Sequence, residues 1–590
     1  MSASDQSAGE TLFLVASPDR LTVLPAGLTL PALAVSADGR ESALLLQKWE
    51  NESGLVDCFT QGEESFWWGC QRYWFSVSLS LLLDALRVLK PVFATAGVQP
   101  PRSVVISAHP AQAGVLAAAV AMLSPGSQIT VKGNARFGLR DRLRWYGLIG
   151  VHRLRAALGR RRLRRAMRMA PARRVVIFQS EMQWEGGRDR EMASVADALR
   201  ARGLEVITVA APADRLWKNL VGLFTRPTDH IFSDLVGRSS RPFVPTKTPD
   251  WSRRRFAHDG YDFSAFIRGW MESTAPADSL RESDAEWTRL IKQLAPAIVL
   301  MAHEHYHRAA ITRATAAAGI RFGAVQHGLL SEYNPLYVLP KWARGKISLP
   351  WRIFVYGNRD VEILSQLSIY DPASIVVAGS TEWDLLRKKG VRTLGPGGEG
   401  RPRGQLRILF TSQHGLADGI IDGLLDGVQG LKEKARLRVR LHPWERAVWR
   451  WTRAFQRHPA VTVEFSRGGP LEKDLSWCDL HVTFASTCLT HAAIAGIPSV
   501  LFGANAYPWR EQFVQAGLAL KVEDGRQFVE AVTHWRTDQA RARFALDRER
   551  FLVDSGVGKI LAGERIAEEV LASPRCHLPP STLREGATST

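Results

Sequence analysis

The sequence predicts an α/β protein in which a small N-terminal α/β domain is followed by two parallel-sheet domains built from β-α-β units. Strand-like and helical runs alternate twice along the chain, over 172–345 and again over 350–572. Several of these strands end in polar residues, which is typical of open parallel sheets that bind a ligand at the carboxyl ends of their strands. With 590 residues, the chain is also too long for a single hydrophobic core.

The composition is that of a globular protein with a large excess of positive charge. Hydrophobic residues make up 45% of the chain, charged residues make up 23%, and the formal net charge is +19. This excess favours an acidic partner such as anionic lipid, a phosphorylated substrate or nucleic acid. The five cysteines have no CxxC spacing, so the sequence predicts neither a disulfide framework nor a zinc site and favours a cytoplasmic location. No signal peptide or membrane-spanning segment is expected.

The N-terminal domain is predicted over 11–135 and the basic segment that follows it over 136–171. The domain's predicted strands are Thr11–Ala16, Ala43–Leu46, Ser103–Ser107 and Gln128–Lys132, and its predicted helices are Asp84–Lys90 and Ala111–Leu123.

The basic segment predicts one or two amphipathic helices. Residues 136–174 contain fourteen arginines and a single acid, Asp141. The apolar residues at helical spacing are Leu143, Trp145, Leu148, Ile149, Leu154, Leu158 and Leu163. Such a segment suits the anionic inner face of the cell membrane, where the protein would be peripheral, or packing between domains. Nucleic acid is not expected as a partner, because no compact recognition motif is present.

The first parallel-sheet domain, 172–345, has predicted strands at Val175–Gln179, Leu204–Ala210, Ala297–Ala302 and Phe322–Gln326. The loop after its first strand carries Glu181 and Glu185, and 212–285 is irregular in sequence and is predicted to form a helical insertion. The stretch 334–350, rich in Pro, Trp and Gly, is predicted to be a linker. The second domain, 350–572, is predicted to have seven strands, and residues 573–590 are predicted to be a disordered tail. Its strands are Arg352–Tyr356, Ser374–Ala378, Arg407–Thr411, Leu437–Leu441, Val461–Phe465, Leu480–Phe484 and Ser499–Phe502.

The segment 478–503 is the most informative part of the second domain. Leu480–Phe484 predicts a buried strand, and Ser486 and Thr487 can cap the helix that follows. Gly496 and Pro498 are expected to end that helix. A capped helix start at the carboxyl end of a strand offers backbone N–H groups and a positive dipole to a phosphate.

Polar residues at the strand ends of both domains are expected to converge on one cleft. In the second domain they are His414, Arg440, His442 and the Ser486-Thr487 pair; in the first they are His303, Glu304, Gln326 and His327. His303-x-His305-x-His307 also has the spacing of metal ligands along a strand, but a helix is predicted to begin near Tyr306. No metal is therefore expected.

These motifs resemble those of a known enzyme class. Residues 172–570 are similar to the GT-B glycosyltransferases, which have two Rossmann-like domains, and more narrowly to bacterial capsule (Kdo-type), polysialic acid and teichoic-acid glycerophosphate transferases. In those families a His-Pro motif and a Ser/Thr pair at a helix start contact the phosphates of a cytidine nucleotide donor. The matching positions are His442-Pro443 and Ser486-Thr487, while Gln326-His327-Gly328 resembles the acceptor-side His-Gly segment.

The resemblance implies a glycosyltransferase that needs no metal or other cofactor. Its substrates would be a nucleotide-activated sugar and a saccharide or lipid-linked acceptor. His442, Ser486, Thr487 and Arg440 would hold the donor phosphates. Glu304 or His327 would remove the acceptor proton, with Gln326, His303, His414, Glu181 and Glu185 in supporting positions.

Two alternatives remain open at this stage. The chain also resembles UDP-N-acetylglucosamine 2-epimerases in Ile408–His414 and Val325–Glu332, although it lacks the acidic residues that those enzymes carry after the capped helix start. The second alternative is a non-catalytic scaffold of polysaccharide assembly that keeps the fold without turnover.

Overall fold

The computed structural model supports the prediction of an α/β protein with two parallel sheets after an N-terminal α/β unit. It describes residues 11–16, 20–24, 28–31, 40–52, 55, 60–61, 64–65, 72–95, 101–108, 110–133, 139–168, 170–180, 184–185, 188–189, 192–211, 216–227, 229–236, 256–277, 284–302, 309–345, 347–388, 405–413, 418–431, 434–442, 448–466, 469–484, 486–503, 510–558 and 560–573.

The N-terminal unit contains a mixed five-stranded sheet with the order β3-β2-β1-β6-β7. The strands are β1 (Thr11–Ala16), β2 (Arg20–Leu24), β3 (Leu28–Pro31), β4 (Thr60–Gln61), β5 (Glu64–Ser65), β6 (Ser103–Ala108) and β7 (Gln128–Gly133), of which β4 and β5 form a separate pair. The helices are α1 (Arg40–Glu52), α2 (Arg72–Thr95) and α3 (Pro110–Leu123). No helix in the described ranges is long and apolar enough to cross a membrane.

The strand predicted at Ala43–Leu46 is wrong, because these residues lie in α1. Leu45, Leu46 and Trp49 are buried, at the spacing of one helix face. A short apolar run has the same sequence signature in a buried strand and in a helix, so the pattern alone could not distinguish them. The Trp49 ring lies 5.3 Å from that of Phe263, which brings part of the 212–285 insertion into the N-terminal core.

The basic segment forms one helix, α4 (Leu139–Ala166). Leu163 lies on its buried side as predicted, whereas Leu154 was predicted to be an inward residue and is 54% exposed. The guanidinium of Arg155 is buried instead and contacts Asp234 at 2.8 Å. Tertiary contacts therefore decide which side of α4 faces inward, because a helix this rich in arginine has a weak apolar stripe.

The first parallel sheet has seven strands in the order β12-β11-β8-β15-β16-β17-β18. These strands are β8 (Arg174–Ser180), β11 (Glu205–Ala211), β12 (His230–Phe232), β15 (Ile298–Ala302), β16 (Arg321–Val325), β17 (Arg352–Val355) and β18 (Ile375–Val377); β9 (Trp184–Glu185) pairs with β10 (Arg188–Asp189), and β13 (Ala257–His258) with β14 (Tyr261–Asp262). The helices are α5 (Ala193–Ala201), α6 (Leu216–Thr225), α7 (Ser264–Ala277), α8 (Asp284–Leu294), α9 (Ala309–Ala317), α10 (Asn358–Leu367) and α11 (Thr381–Lys388).

The position of β17 and β18 corrects the predicted domain boundary. Both strands were assigned to the second domain, but β17 pairs with β16 and β18 pairs with β17 in the first sheet. The last described element before the second sheet is therefore the helix Thr381–Lys388, and the division between the two sheets does not fall at 345–350. The predicted linker 334–350, which is rich in Pro and Trp, packs on the first domain instead, with Tyr337 and Leu339 buried in the core.

The second sheet is also wholly parallel and has six strands in the order β21-β20-β19-β22-β23-β24. The strands are β19 (Gln405–Thr411), β20 (Lys434–Arg440), β21 (Thr462–Ser466), β22 (Leu480–Thr483), β23 (Ser499–Phe502) and β24 (Ala519–Val522). The helices are α12 (Asp418–Gln429), α13 (Val448–Arg457), α14 (Leu471–Trp477), α15 (Cys488–Ile494), α16 (Glu511–Gln515), α17 (Gly525–Trp535), α18 (Asp538–Asp554) and α19 (Ala562–Leu571).

The end of the chain returns from the second sheet to the first domain. The segment after α18 passes so close to Gly357 that a β-carbon added there would overlap the Asp554 carbonyl oxygen and lie 2.8 Å from the Ser555 Cα atom. Helix α19 then packs on α5, where Ile566 and Ala567 are buried beside Val195. These contacts join the two parallel sheets, because residues of the C-terminal segment contact both.

Replacing Gly357 by alanine is expected to destabilise this junction by about 1–3 kcal/mol, because the added methyl group meets backbone atoms that cannot rotate away. The midpoint of thermal unfolding should fall. Gly419→Ala in α12 is the matched control, because a β-carbon there has no neighbour within 4 Å. An unchanged midpoint in Gly357→Ala would show that the junction tolerates a side chain.

Candidate functional site

The carboxyl ends of three neighbouring strands are tied together by backbone and hydroxyl groups. The Ser412 N–H donates to the Arg440 carbonyl at 2.9 Å, and the His442 N–H donates to the Ser412 hydroxyl at 2.9 Å. On the other side of β19, the Thr483 hydroxyl donates to the Thr411 carbonyl at 3.0 Å. The described residues that directly follow β19, β20 and β22 therefore form one polar edge.

Ser486 caps the helix that follows β22. Its backbone N–H donates to the Thr483 hydroxyl at 3.2 Å, and its side-chain oxygen accepts a hydrogen bond from the Cys488 N–H at 3.2 Å. Thr487 is exposed, and its hydroxyl makes no capping bond. Of the two residues predicted as caps, Ser486 has this role, while Thr487 presents a hydroxyl to solvent at the helix start. Gly496, with φ of +73°, follows the helix as predicted.

A buried histidine next to this edge connects three neighbouring strands of the second sheet. His481 lies in β22, where one ring nitrogen is 2.9 Å from the Thr411 hydroxyl and the other is 3.1 Å from the Ser499 hydroxyl. Burial, and secondarily the nearby His491, lowers the pKa of His481 to about 3. The ring is therefore neutral at pH 7 and joins β19, β22 and β23 through hydroxyl groups.

The Arg440 guanidinium already has protein partners. Its guanidinium donates to the Asp474 carboxylate at 2.6 Å and to the Gly469 carbonyl at 2.8 Å. The Ser466 hydroxyl donates to the same carboxylate at 2.7 Å. Arg440 thus attaches α14 to the ends of β20 and β21, and any contact with a ligand would have to compete with this ion pair.

Arg510 is a residue that the sequence analysis missed. It begins α16 after β23, its side chain is fully buried, and its guanidinium carbon lies 5.2 Å from the centre of the Phe484 ring. Phe484 immediately follows β22 and lies two residues before Ser486. A buried guanidinium thus lies beside the polar edge. No spacing or motif in the sequence marks this position.

On the first domain, Gln326 organises the loop that follows β16. Its side-chain oxygen accepts from the Tyr356 N–H at 2.8 Å, and its amide nitrogen donates to the Gly328 carbonyl at 2.9 Å. Burial raises the pKa of nearby Asp360 to about 6, and a side-chain hydrogen bond with Gln326 lowers it in part. Gln326 therefore positions the loop and is itself buried.

His327 lies in that loop with its ring half-buried. Its backbone N–H donates to the Tyr337 hydroxyl at 2.9 Å, and the next residue, Gly328, has φ of +74° and donates to the Tyr356 hydroxyl at 3.2 Å. Glycine suits this backbone conformation, because side chains rarely adopt it. The two tyrosines hold the turn that carries His327.

The two halves of the site meet at Leu329 and α15. Leu329 packs against the core of the second domain and against a cluster that contains Trp383 of α11 and Ile494 of α15. His491 of α15 lies 3.4 Å from the Glu382 carboxylate of α11. The loop that carries His327 and the helix that Ser486 caps are therefore neighbours across the boundary between the sheets.

The remaining predicted site residues are not positioned by these contacts. Glu181, His303, Glu304 and His414 lie outside the described residues, and Glu185 is in β9, where only the backbone is described. Their roles stay predictions.

Two other features lie away from this edge. A mostly apolar cavity of about 720 Å³ is lined by α2 and α3 together with Tyr261, Phe266 and Trp270. Glu41, His258 and Asp259 form a group that is close enough to hold a metal ion, but the Glu41 carboxylate also pairs with Arg87, so the group is a mixed ion-pair network. Neither feature includes a residue of the candidate site.

The chain was compared with known proteins. No protein-family model matches it, and no curated protein sequence matches it. Among solved structures it is similar to the UDP-GlcNAc 2-epimerase of Neisseria meningitidis bound to UDP-GlcNAc, with 15% identity and a TM-score of 0.44 over 68% of this chain and 99% of that one. It is also similar to CalG4, the calicheamicin glycosyltransferase, with 12% identity and a TM-score of 0.42 over 68% and 98%. For MurG of Acinetobacter baumannii the values are 13% identity and a TM-score of 0.40 over 68% and 99%.

Lowering the pH from 6.5 to 5 is expected to destabilise the region around β22 by about 2 kcal/mol. The pKa of His481 is about 3 in the folded chain and has an ordinary value of 6.5, so the unfolded chain binds more protons between these values. The free energy of unfolding therefore falls as the pH drops through this window. Hydrogen exchange of β22 peptides, corrected for the intrinsic pH dependence of exchange, measures the change.

His481→Gln should flatten this dependence, because glutamine can contact both hydroxyls without titrating. The exposed His534 in α17 offers a matched control, His534→Gln. If His481→Gln keeps the full pH dependence, another group is responsible for it.

Proposed function

We propose that the protein is a glycosyltransferase that moves a sugar or sugar acid from a CMP- or CDP-linked donor to an acceptor. The acceptor would be a growing surface or capsular polysaccharide or a lipid-linked saccharide, and the reaction would take place on the cytoplasmic side of the membrane. The observation that carries the proposal is the polar edge formed by Ser412, His442, Thr483 and Ser486, facing the loop of His327 through Leu329. His442 and Ser486, which belong to two of the motifs that carry the family resemblance, lie on this edge.

The donor phosphates would bind between His442 and the start of α15. The helix start has a positive dipole, and the Thr487 hydroxyl is exposed there. The charge on the nucleotide phosphate grows as the sugar–phosphate bond breaks, and protein donors that are already in position stabilise this charge without a metal.

Arg510 extends this phosphate site. Its side chain is fully buried against Phe484, two residues before Ser486, which would bring its positive charge close to a phosphate bound at the start of α15. Arg440, whose guanidinium is engaged by Asp474, would act as a positioning residue for the end of β20.

The acceptor hydroxyl would lose its proton to a group on the first domain. Glu304 and His327 are the candidate bases; Glu304 follows the last residue of β15 by two positions in the sequence, and His327 lies in the loop after β16. His327 is placed on the loop that contacts the second domain through Leu329, and Gln326 fixes the shape of that loop. The transferred group would then pass across the boundary between the two sheets.

Binding of cytidine nucleotides is the first expected result. CMP or CDP at 100 times its dissociation constant should stabilise the protein by about 2.7 kcal/mol and raise the midpoint of thermal unfolding. UMP, UDP and GDP should have smaller effects. His442→Ala, Thr487→Val and Arg510→Met should each reduce the shift, because each removes a proposed phosphate contact.

Thr462→Val is the matched control for Thr487→Val. Thr462 is exposed at the amino end of β21, in the same domain but at the opposite edge of the sheet from the proposed phosphate site. A response to UDP alone would contradict the cytidine donor and favour the epimerase alternative. No response to any nucleotide would favour the scaffold.

Loss of the acceptor base should stop transfer without weakening donor binding. Glu304→Gln and His327→Asn are each compared with wild type, and the variant that removes the base is expected to slow sugar incorporation by about 100-fold or more. The nucleotide-dependent rise in unfolding midpoint should persist in that variant. Glu362→Gln in α10 is the control, because Glu362 is exposed on the same domain. Full transfer by both variants would show that neither residue is the base.

A further inference from the structure

Helix α4 is attached to the first domain through two arginines. Arg155 is fully buried, donates to the Asp234 carboxylate at 2.8 Å and lies over the Phe232 ring at 4.2 Å. About two helical turns further on, the partly buried Arg162 donates to the His230 carbonyl at 2.8 Å and to the Arg226 carbonyl at 3.2 Å. These contacts fix the rotation of α4 against β12 and the end of α6.

The same rotation leaves a continuous basic face on the outside. At 3.6 residues per turn, the exposed arginines among the described side chains of 150–168 occupy a sector about 140° wide. They are Arg153, Arg160, Arg161, Arg164, Arg165 and Arg168, the last just beyond the helix end. The chain between 150 and 168 contains no aspartate or glutamate, so these arginines have no acidic neighbour along their own helix. This face is complementary in charge to an anionic surface.

Large apolar side chains are exposed along the same pair of helices. On α4, Leu154 is 54% exposed, and Met167, just after its end, is 47% exposed. On α6, which contacts α4 through Arg155 and the Asn219 carbonyl, Phe224 is 82% exposed and Leu220 is 36% exposed. Exposure of these four apolar side chains on the two contacting helices costs hydrophobic free energy that burial in a partner would recover.

We propose that the outer face of α4 and the adjoining side of α6 form a binding surface for an anionic phospholipid bilayer. The six arginines contact lipid phosphates, while Phe224, Leu154 and Met167 enter the boundary between headgroups and acyl chains. An RNA partner would use the arginines but would gain little from exposed leucine and methionine, which do not stack on bases as aromatic rings do. This inference goes beyond the proposed sugar transfer and does not depend on its chemistry.

The experiment measures flotation of the full-length protein with phosphatidylcholine vesicles that contain or lack phosphatidylglycerol, at low and high salt. Wild type should bind the anionic vesicles, more tightly at low salt, and should bind the neutral vesicles weakly. The triple variant Arg153→Glu, Arg160→Glu, Arg164→Glu should bind the anionic vesicles roughly 100-fold more weakly at low salt. Phe224→Ser should weaken binding by roughly threefold to tenfold at both salt concentrations, because its contribution is hydrophobic.

Matched controls come from the second domain. The triple variant Arg526→Glu, Arg543→Glu, Arg550→Glu makes the same charge change at exposed arginines of α17 and α18, and Leu546→Ser removes an apolar residue that is 62% exposed. Both controls should bind vesicles nearly as wild type does. The stabilisation by nucleotides should be unchanged in the α4 variant, so that a failure of the bilayer proposal is distinguishable from a failure of the proposed transferase function.

Equal loss of binding in the α4 triple variant and in its control would show that net charge alone is responsible and would overturn the proposal. Retention of wild-type binding by both the α4 triple variant and Phe224→Ser would also overturn it. A third contrary outcome is tight binding to single-stranded RNA that displaces the vesicles, is lost in the α4 triple variant and is unaffected by Phe224→Ser, which would assign the face to nucleic acid.

Discussion

The close approach of backbone between Gly357 and the segment after α18 is the constraint on which the candidate site depends. The chain leaves the first sheet after α11, builds the second sheet, and then returns to place α19 on α5. The return passes Gly357 without room for a β-carbon, and a β-carbon added at Gly556 would lie only 2.5 Å from the Tyr356 carbonyl oxygen. Because Tyr356 also binds Gln326 and Gly328, this junction connects directly to the loop of His327. These contacts fix the position of the His327 loop of the first sheet relative to the second sheet, although each sheet has its own hydrophobic core.

The arginines of the protein occupy three different environments that composition could not separate. Arg155 and Arg440 are paired with carboxylates and hold α4 and α14 in place. Arg510 is buried against Phe484 beside the polar edge. Arg153, Arg160 and Arg164 are exposed on α4, and we propose that they contact an anionic surface. The environment of each arginine depends on its burial and its neighbours, which the residue type alone does not determine.

The candidate site was predictable where hydrogen-bonding groups follow strands, and not where a role depends on packing. The strand ends at Thr411, His442 and Ser486 share an edge because parallel strands require it. The sequence could not distinguish Ser486 as the cap from Thr487 as the exposed hydroxyl, since either residue type can cap a helix. Arg440 looked available in the sequence, but Asp474 lies thirty-four residues away and reaches it only in the folded domain.

The alternation of helices and strands, read from the sequence alone, was enough to determine an α/β protein with two parallel sheets, because hydrophobic periodicity and helix-ending residues are local properties. Only the tertiary structure decided where one sheet ends and the next begins, since β17 and β18 pair with β16 across a Pro- and Trp-rich stretch that resembles a linker. It also decided that Ala43–Leu46 is helical and that Leu154 faces outward. Strand pairing and the buried side of a helix depend on partners that are distant in the chain, and no local pattern encodes them.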